Sequence, residues 1–499
     1  MKEKLVAIVM MFFAIGEIVI AQNETDAYRY SQEEVFGTAR YMSLAGSMGG
    51  FGADFSTLIH SNPATIGLYK RTEIAITPCL SYGKNTATYN HTTTAVGKYN
   101  FSLGNLSLVT SFDLNNNTKW KSIQFATGYN QKFNYHSSIT AKGLNKGLTQ
   151  DTKSTFIDYL APLCNGLNVS TIGSGNTLAD ILWYHWLIDT IPGGKNTYQS
   201  VATINTITQK QTIATSGYSG EYIFSGGANY DDKLFLGLTI GIPFFDYRYK
   251  SLYTEGFVEN ECSSGYDSLI FEDNFHARGT GINFKLGILY QPISFLRFGV
   301  GFHTPTFYTN IKESYDQYLT MLSVEHNDSN NYDINFDKGN FNWNLVAPYK
   351  LTANMAVLIS HYGFVNIDYE MKDYSVMNMS AQSIVDYDFE EENANIKKYY
   401  QPTHTIKVGA EFVFNPIAIR LGYAYMSNPY RDLDKDGSCH TFACGMGFKG
   451  KIFFADFAYL YKMYNDKDIF YNADNLKTYS LKKHSQNFVL TIGWKLGKI

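Results

Sequence analysis

The sequence predicts an all-β transmembrane protein, a 14-stranded antiparallel outer-membrane β-barrel with an N-terminal plug in its lumen and a partly helical extracellular insertion. Three observations carry this expectation. Segments of roughly ten residues alternate apolar and polar side chains, as strands do when one face meets lipid and the other a polar lumen. Fourteen such segments follow residue 71, and their connections alternate between short and long. Aromatic residues make up 16% of the 499-residue chain, with 39 Tyr and 35 Phe, which supplies two interfacial girdles while the lumen side stays polar.

The chain opens MKEKLVAIVMMFFAIGEIVIAQ. Lys2 and Lys4 precede an apolar core from Leu5 to about Ile15, and Val19 and Ala21 are small enough for a cleavage site. Residues 1–21 therefore read as a secretory signal peptide. No later apolar run is long enough to span a bilayer as a helix. The expected location is the bacterial outer membrane, with outer-membrane lipid and lipopolysaccharide as surroundings and a monomer as the assembly. Cys79, Cys164, Cys262, Cys439 and Cys444 form no CxxC pair and no metal spacing. A net charge of −4 gives no basis for nucleic-acid binding.

The barrel is expected over 71–499. TEIAITPCLSYG puts Ile74, Ile76, Pro78, Leu80 and Tyr82 on one face and Glu73, Thr77 and Ser81 on the other. YNFSLGNLSLVTSF (99–112) shifts phase near Gly104 and Asn105, which indicates a bulge or kink and a possible defect in the wall. Alternation recurs through 123–129, 216–230, 233–245, 281–290, 295–304, 349–360, 363–371, 403–414, 417–426, 441–448 and 451–464. It ends in NFVLTIGWKL, where Phe488, Leu490, Ile492, Trp494 and Leu496 share a face. Short turns are expected at Asp231-Asp232, Gln291-Pro292, Asn415-Pro416 and Lys449-Gly450. Long outer loops are expected at about 135–215, 249–274, 305–344, 372–402, 427–440 and 465–486. The strands must close on themselves, because an unpaired backbone N–H or C=O in lipid costs several kcal/mol.

Fourteen strands enclose more space than side chains fill, since about eight already leave a just-filled interior. Residues 22–70 lack strand alternation, precede the first strand and are rich in Gly and Ala. They are expected to form a plug, with Asn62-Pro63 turning the chain toward the wall. GTARYMSLAGSMGGFGADFSTLIHSNPATIG resembles the N-terminal hatch of the FadL/TodX outer-membrane transport proteins, through Gly37, Ala39, Arg40, Gly46, Ala53, Asp54 and the triplet Asn62, Pro63, Ala64. The sequence likeness is confined to about residues 35–70. RFGVGFHTP (297–305) also looks like a strand end of that family.

The resemblance implies passive uptake of hydrophobic molecules, typified by long-chain fatty acids. Outer loops would capture the ligand, a lumen pocket above the hatch would receive it, and a break in the wall would release it sideways into the membrane. The same barrel and hatch also serve as shuttle components in protein secretion, which is the alternative function. For capture, LADILWYHWLIDTI (178–191) in the long loop is helical in character and apolar around much of its circumference, through Ile181, Leu182, Trp183, Trp186, Leu187 and Ile188. The bland alternative is a local core among the loops. A carboxylate head group would need a Lys or Arg that the sequence does not single out.

No enzyme is expected, because no GxSxG occurs and no nucleophile and base are brought together by a motif. No cofactor or metal is expected either. DLDKDGS (432–438) opens like a calcium loop, but Ala443 stands where the twelfth-position acid is due, so it reads as a solvated loop tip. Asp456 and Lys462 are expected to face the lumen. His303, His361 and His404 are expected to be polar lumen or rim residues.

Overall fold

The computed structural model describes residues 23–497 except 115–117, 147–154, 170–171, 173–177, 185, 201–205, 258–265, 324–333, 383–386, 433–434, 469 and 471–477. The signal peptide expected over 1–21 and Cys262 lie outside the described residues.

Eighteen strand segments form one closed antiparallel sheet. Four of them continue the preceding segment across a short break, so the wall has fourteen strands. They are β1 (Thr72–Tyr89), β2 (Thr92–Asp113), β3 (Trp120–Asn134, continued by Ser137–Lys146), β4 (Thr206–Tyr230), β5 (Leu234–Phe257), β6 (Tyr266–Ile293) and β7 (Leu296–His303, continued by Phe307–Ser323). The rest are β8 (Ile334–Val346, continued by Lys350–Ile359), β9 (Gly363–Asp373, continued by Asn378–Ala381), β10 (Pro402–Phe414), β11 (Ile417–Met426), β12 (Cys439–Lys449), β13 (Phe453–Asp468) and β14 (Tyr479–Leu496). β14 pairs back on β1 from Thr72↔Leu496 to Thr88↔Ser480, closing the cylinder. Among the described residues no helix is long and apolar enough to cross a membrane.

Side-chain alternation sets the two faces. Ile74, Ile76 and Leu80 point outward while Thr77 and Ser81 are buried; Phe488, Leu490, Trp494 and Leu496 point outward while Thr491 is buried. The breaks in β7 and β8 fall at Thr304-Pro305-Thr306 and Ala347-Pro348-Tyr349. Proline supplies no N–H to the ladder there and restricts the residue before it.

The strands outrun the expected loops. β5 reaches Phe257 and β6 starts at Tyr266, so most of 249–274 is wall; β7 reaches Ser323 and β8 starts at Ile334, so most of 305–344 is wall as well. Above the lipid the outward positions turn polar while inward ones such as Tyr253, Leu269 and Phe271 turn apolar against the loop core, so the alternation of the lipid zone is lost although the backbone ladder continues. The β1–β2 connection departs from the long-loop rule for the same reason. It is a two-residue turn, Asn90-His91, with φ of 41° and 65°, at the end that carries the long loops.

The leading residues lie inside the cylinder. They form α1 (Glu24–Ser31), α2 (Ala39–Ser43), α3 (Thr57–His60) and a 3-10 turn over Pro63–Leu68. Asn23 caps α1 by accepting from the Thr25 and Asp26 N–H groups, and Asp26 reaches back to the Asn23 N–H. Asn62 accepts from the Ala64 N–H with Pro63 at the first position, so the Asn-Pro pair starts the 3-10 turn that delivers the chain to β1. The upper lumen is filled by rings: Tyr30 stacks on Phe245 at 4.1 Å and Tyr28 on Tyr400 at 5.1 Å. The lower lumen is filled by Phe36, Tyr41, Met42 and Leu44 against Phe364 and Val489.

Packed on the inward side chains Tyr89, Ile139, Ile213 and Tyr253 at the upper end of the cylinder, the long insertion carries α4 (Phe156–Leu160), α5 (Leu178–Tyr184) and a hairpin pairing Ile188–Thr190 with Tyr198–Ser200. The helical reading of 178–191 is therefore too long. The chain leaves the helix after Tyr184, takes the left-handed region at Trp186 (φ 56°) and returns as a strand at Ile188. The helix α6 (Glu390–Tyr399) lies in the loop before β10.

Candidate functional site: an occupied lumen and a seam in the wall

The leading segment is fastened to inward-facing side chains around the cylinder. The Ala39 N–H donates to Thr491 Oγ1 at 2.7 Å, the Gly49 N–H to Asp368 at 2.8 Å, and the Gly50 and Phe51 N–H groups to Asn366 Oδ1 at 3.0 Å each. Arg40 holds both oxygens of Glu411. Asp54 accepts from Thr38 Oγ1 at 2.6 Å and from the Ser56 N–H at 2.9 Å, bracing the segment internally. Asn62 Nδ2 donates to the Ile288 carbonyl at 3.1 Å, and the Pro63–Ala64 backbone sits against Gly237 and Gly287. Ala53 lies in the left-handed region (φ 53°), as do Gly46 (φ 79°) and Gly52 (φ 73°).

A charge cluster that sequence reasoning missed joins this segment to the wall. Glu33 lies 2.9 Å from Lys132 on β3, 2.8 Å from Lys350 on β8 and 3.6 Å from Lys372 on β9. Glu221 on β4 lies 3.4 Å from the same Lys132 and binds Lys285 on β6. Burial alone would raise the Glu33 carboxyl, but Lys132, Lys350 and Lys372 outweigh it and hold it well below the usual carboxylate range. Burial, reinforced by Lys350, pushes the neighbouring His60 imidazole well below its ordinary value. Asn130 Nδ2 sits 2.9 Å from His60 Nε2, which makes that nitrogen the acceptor of a neutral ring. The only sequence signal for the lysines was their place on the polar phase of each strand.

A cavity of about 90 Å³ adjoins the cluster, lined on one side by Phe36, Tyr41, Met426 and Leu460 and on the other by Lys350 and Lys407. Glu33, Glu34 and Glu370 line it too, paired with Lys350, Lys462 and Lys407, so its walls offer an apolar body and a ring of charge pairs. Its volume is below the roughly 300–1,000 Å³ of sites for drug-sized ligands, so a long chain enters only if the leading segment shifts. Asp456 and Lys462 do face the lumen, Asp456 bonded to Arg420 at 2.6 Å and Lys462 to Glu34. His303 is buried with Nε2 3.0 Å from the Ser61 carbonyl, His361 is exposed beside a turn, and His404 faces outward against Tyr369. Among the described residues no three His, Cys, Asp or Glu side chains are placed to hold a metal.

The ladder between β2 and β3 lapses partway up. Residues 105–113 of β2 pair with 122–130 of β3, but residues 92–104 pair only with β1. On the other side, the β3 continuation Ser137–Lys146 pairs only with β4. Gly104 is the bulged residue where the register slips against Thr77 and Pro78. Tyr99, Phe101 and Leu103 point outward from the unpaired stretch, which places this edge at the depth of the lipid-facing band. Side chains bridge the edges instead: Asn100 Nδ2 to Asn134 Oδ1 at 3.3 Å, and Lys98 Nζ to the Thr215 carbonyl at 3.1 Å. Lys132 lies beside the point where the pairing ends.

Of the residues singled out for capture, Leu182, Leu187 and Ile188 are buried in a core with Phe156, Ile157 and Tyr198. Trp183 is half-buried and Trp186 is 79% exposed; the Ile181 side chain lies outside the described residues.

A closed fourteen-stranded cylinder with an apolar outer band, an internal leading segment and long loops at one end is the fold of FadL-type outer-membrane transport barrels. Solved structures of that fold match it over almost the whole chain. A Pseudomonas aeruginosa FadL homologue superposes with a TM-score of 0.55 at 11% identity, covering 94% of this chain and 100% of that one. The Ralstonia pickettii toluene transporter TbuX gives 0.52 at 12% identity, and the P. putida toluene transporter TodX 0.51 at 11%, each with the same coverage. No protein-family sequence model matches the chain, and no curated protein matches it.

Proposed function

We propose that this protein is an outer-membrane channel for passive uptake of hydrophobic molecules, such as long-chain fatty acids, into the membrane through its own wall. The seam above Asn105 is the observation that carries the reading. An unpaired strand edge at lipid depth costs several kcal/mol per orphaned group unless something else meets it. A protein that keeps such an edge at that depth uses it, and a lateral exit is the use that fits an apolar cargo.

The remaining steps follow the geometry inward. The exposed Trp186 and Tyr184 in the long outer loop offer a first apolar contact. The lumen cavity beside Phe36 and Tyr41 is the second site, where an anionic head group competes with Glu33, Glu34 and Glu370 for Lys350, Lys462 and Lys407. Five buried methylenes contribute about 4 kcal/mol, enough for capture without trapping. Residues 23–70 act as the plug, and their displacement connects the cavity to the seam next to Lys132. Five lysines, Lys132, Lys285, Lys350, Lys372 and Lys407, face three carboxylates, Glu33, Glu221 and Glu370, so the cluster keeps a cationic excess for a ligand.

The test is a disulfide across the seam. With Asn100→Cys and Asn134→Cys in one chain, oxidation should lower uptake of a labelled fatty acid by cells that express it, and dithiothreitol should restore it. Uptake unaffected by a crosslink verified on gels would overturn lateral exit.

A further inference from the structure

The outer face of β4–β8 changes character within one row of residues. Below the change the outward positions are apolar: Ile242, Ile240 and Leu238 on β5, with Tyr222 and Phe224 on β4. Phe244 closes this band, packed 5.4 Å from Tyr222 and 5.9 Å from Tyr218. The next row up pairs Asp246 with Arg278 and Arg278 with Lys312. The row after it runs Ser216, Arg248, His276, Ser314, and the next Ala214, Lys250, Asn274, Asp316, Lys338. The upper two of these rows and Lys98 line a concavity of about 490 Å³ on the outside of the barrel, with Arg278 and Lys312 in the row just below it.

The sector holds six cations, Lys98, Arg248, Lys250, Arg278, Lys312 and Lys338, against three outward carboxylates, Asp246, Glu272 and Asp316. That excess stands on a chain whose net charge is −4. The carboxylates do not consume it. Arg248 and Asp246 are 3.5 Å apart, Lys250 and Glu272 2.7 Å and Lys338 and Asp316 3.7 Å, all at least partly exposed, and such pairs contribute little. Among the described residues no carboxylate lies within ion-pair distance of Arg278 or Lys312. The girdle on β9–β14 is built differently, from Tyr–His hydrogen bonds: Tyr369 to His404, Tyr423 to His440 and Tyr461 to His484.

We propose that this sector is a docking surface for the phosphates of an outer-leaflet phosphoglycolipid of the lipid A type. The cations lie one to three rows above the apolar band, at the end that carries the long loops, where head groups of the outer leaflet meet the protein. On the wall they span four adjacent strands, β5–β8, about 14 Å at the usual strand spacing, and Lys98 reaches in from β2. A head group with two separated phosphates bridges that distance, whereas one with a single phosphate meets only part of it. Arginine forks at Arg248 and Arg278 suit phosphate oxygens. Below, an apolar groove of about 430 Å³ between Phe125, Phe224 and Leu238 accommodates acyl chain. The inference stands on the barrel's seat in the membrane and not on its cargo.

The test compares the full-length protein with the triple variant Arg248→Gln, Arg278→Gln, Lys312→Gln, and with the charge-keeping variant Arg248→Lys, Arg278→Lys. Each is extracted in mild detergent, and lipid A retained per mole is measured by mass spectrometry; heat-modifiable mobility on gels reports folding. Retention should fall about fivefold per cation removed in the folded triple variant and persist in the charge-keeping one. Competition should be strong with lipid A vesicles and weak with phosphatidylglycerol vesicles or inorganic phosphate. Equal retention by the folded triple variant, or equal competition by phosphatidylglycerol or inorganic phosphate, would overturn the proposal. Should the triple variant not fold, the competition series on the unaltered protein decides alone.

Discussion

Arg40 in the leading segment donates from Nε and Nη2 to the two oxygens of Glu411 on β10, 3.1 Å each, across 371 positions of sequence. The same carboxylate receives Arg420 Nε at 2.6 Å and Lys449 Nζ at 2.6 Å, and Arg420 Nη1 reaches Asp456 at 2.6 Å. Three cations therefore share two buried carboxylates, and Glu411 touches all three.

Removing the shared anion should loosen the segment more than removing one cation. Glu411→Gln leaves Arg40, Arg420 and Lys449 with Asp456 alone, and breaking a buried pair this way costs about 3–5 kcal/mol. Limited proteolysis of the folded barrel should then cut within residues 23–70. Arg40→Met should open it less, because Glu411 keeps two partners. Equal protease resistance in Glu411→Gln would show that this network does not hold the segment.

Gly37 has φ of 144°, and a Cβ there would fall 2.1 Å from Ser56 Oγ. Gly37→Ala should cost about 1–3 kcal/mol through overpacking, with backbone strain added. Single-channel conductance is the measurement: the variant should show openings that the unaltered protein lacks, and an unchanged closed baseline would count against residues 23–70 as the plug.

Acidification should loosen the segment in a defined window. The folded-state value of His60 lies below its ordinary 6.5, so the undocked segment takes up the proton first. Docking stability is complete above about pH 6.5 and falls below it, by at most about 1.4 kcal/mol per pH unit. The groups facing His60 are Lys350, Glu33, Lys132 and Lys407. Glu33 is shifted downward, so its contribution is intact above about pH 4.3 and lost only below that. Proteolysis between pH 7.5 and 5 should report the loss, and His60→Asn should flatten it.

Capture and loop folding should separate by residue. Leu182 is fully buried, and Leu182→Ala should destabilise the loop by about 2–5 kcal/mol. Trp186 is exposed, so Trp186→Ala should leave hydrogen exchange over 155–200 unchanged while lowering uptake at limiting ligand. Unchanged uptake would remove it from the capture site.

Glu255 should anchor that loop. Both its oxygens lie 3.0 Å from the Phe156 N–H, and Tyr253 donates to it at 2.6 Å. Glu255→Ala should raise exchange across 155–164 and leave the lower wall protected.

The wall was legible because each strand announces itself: Phe488, Leu490 and Trp494 must face lipid together, whichever strand lies beside them. The phase slip at Gly104 was legible for the same reason, since a bulge is local. Strand ends above the membrane were not, as KNTATYNHTTTAVGK shows, because polar residues on both faces carry no period. The helix expected over 178–191 failed at Trp186, where burial of Leu187 and Ile188 in the loop core overrode the apolar pattern.

By itself the sequence determined how many strands there are, which way each faces and that residues 23–70 do not belong to the wall. Periodicity is a property of neighbouring residues, and the bilayer imposes it on every strand alike. Only the tertiary structure decided that Glu33 meets Lys132, Lys350 and Lys372, that Arg40 meets Glu411, and that β2 stops pairing with β3 above Asn105. Those contacts join residues tens to hundreds of positions apart. Closing the cylinder brings them within reach of one another, and no local pattern encodes which inward charge will face which.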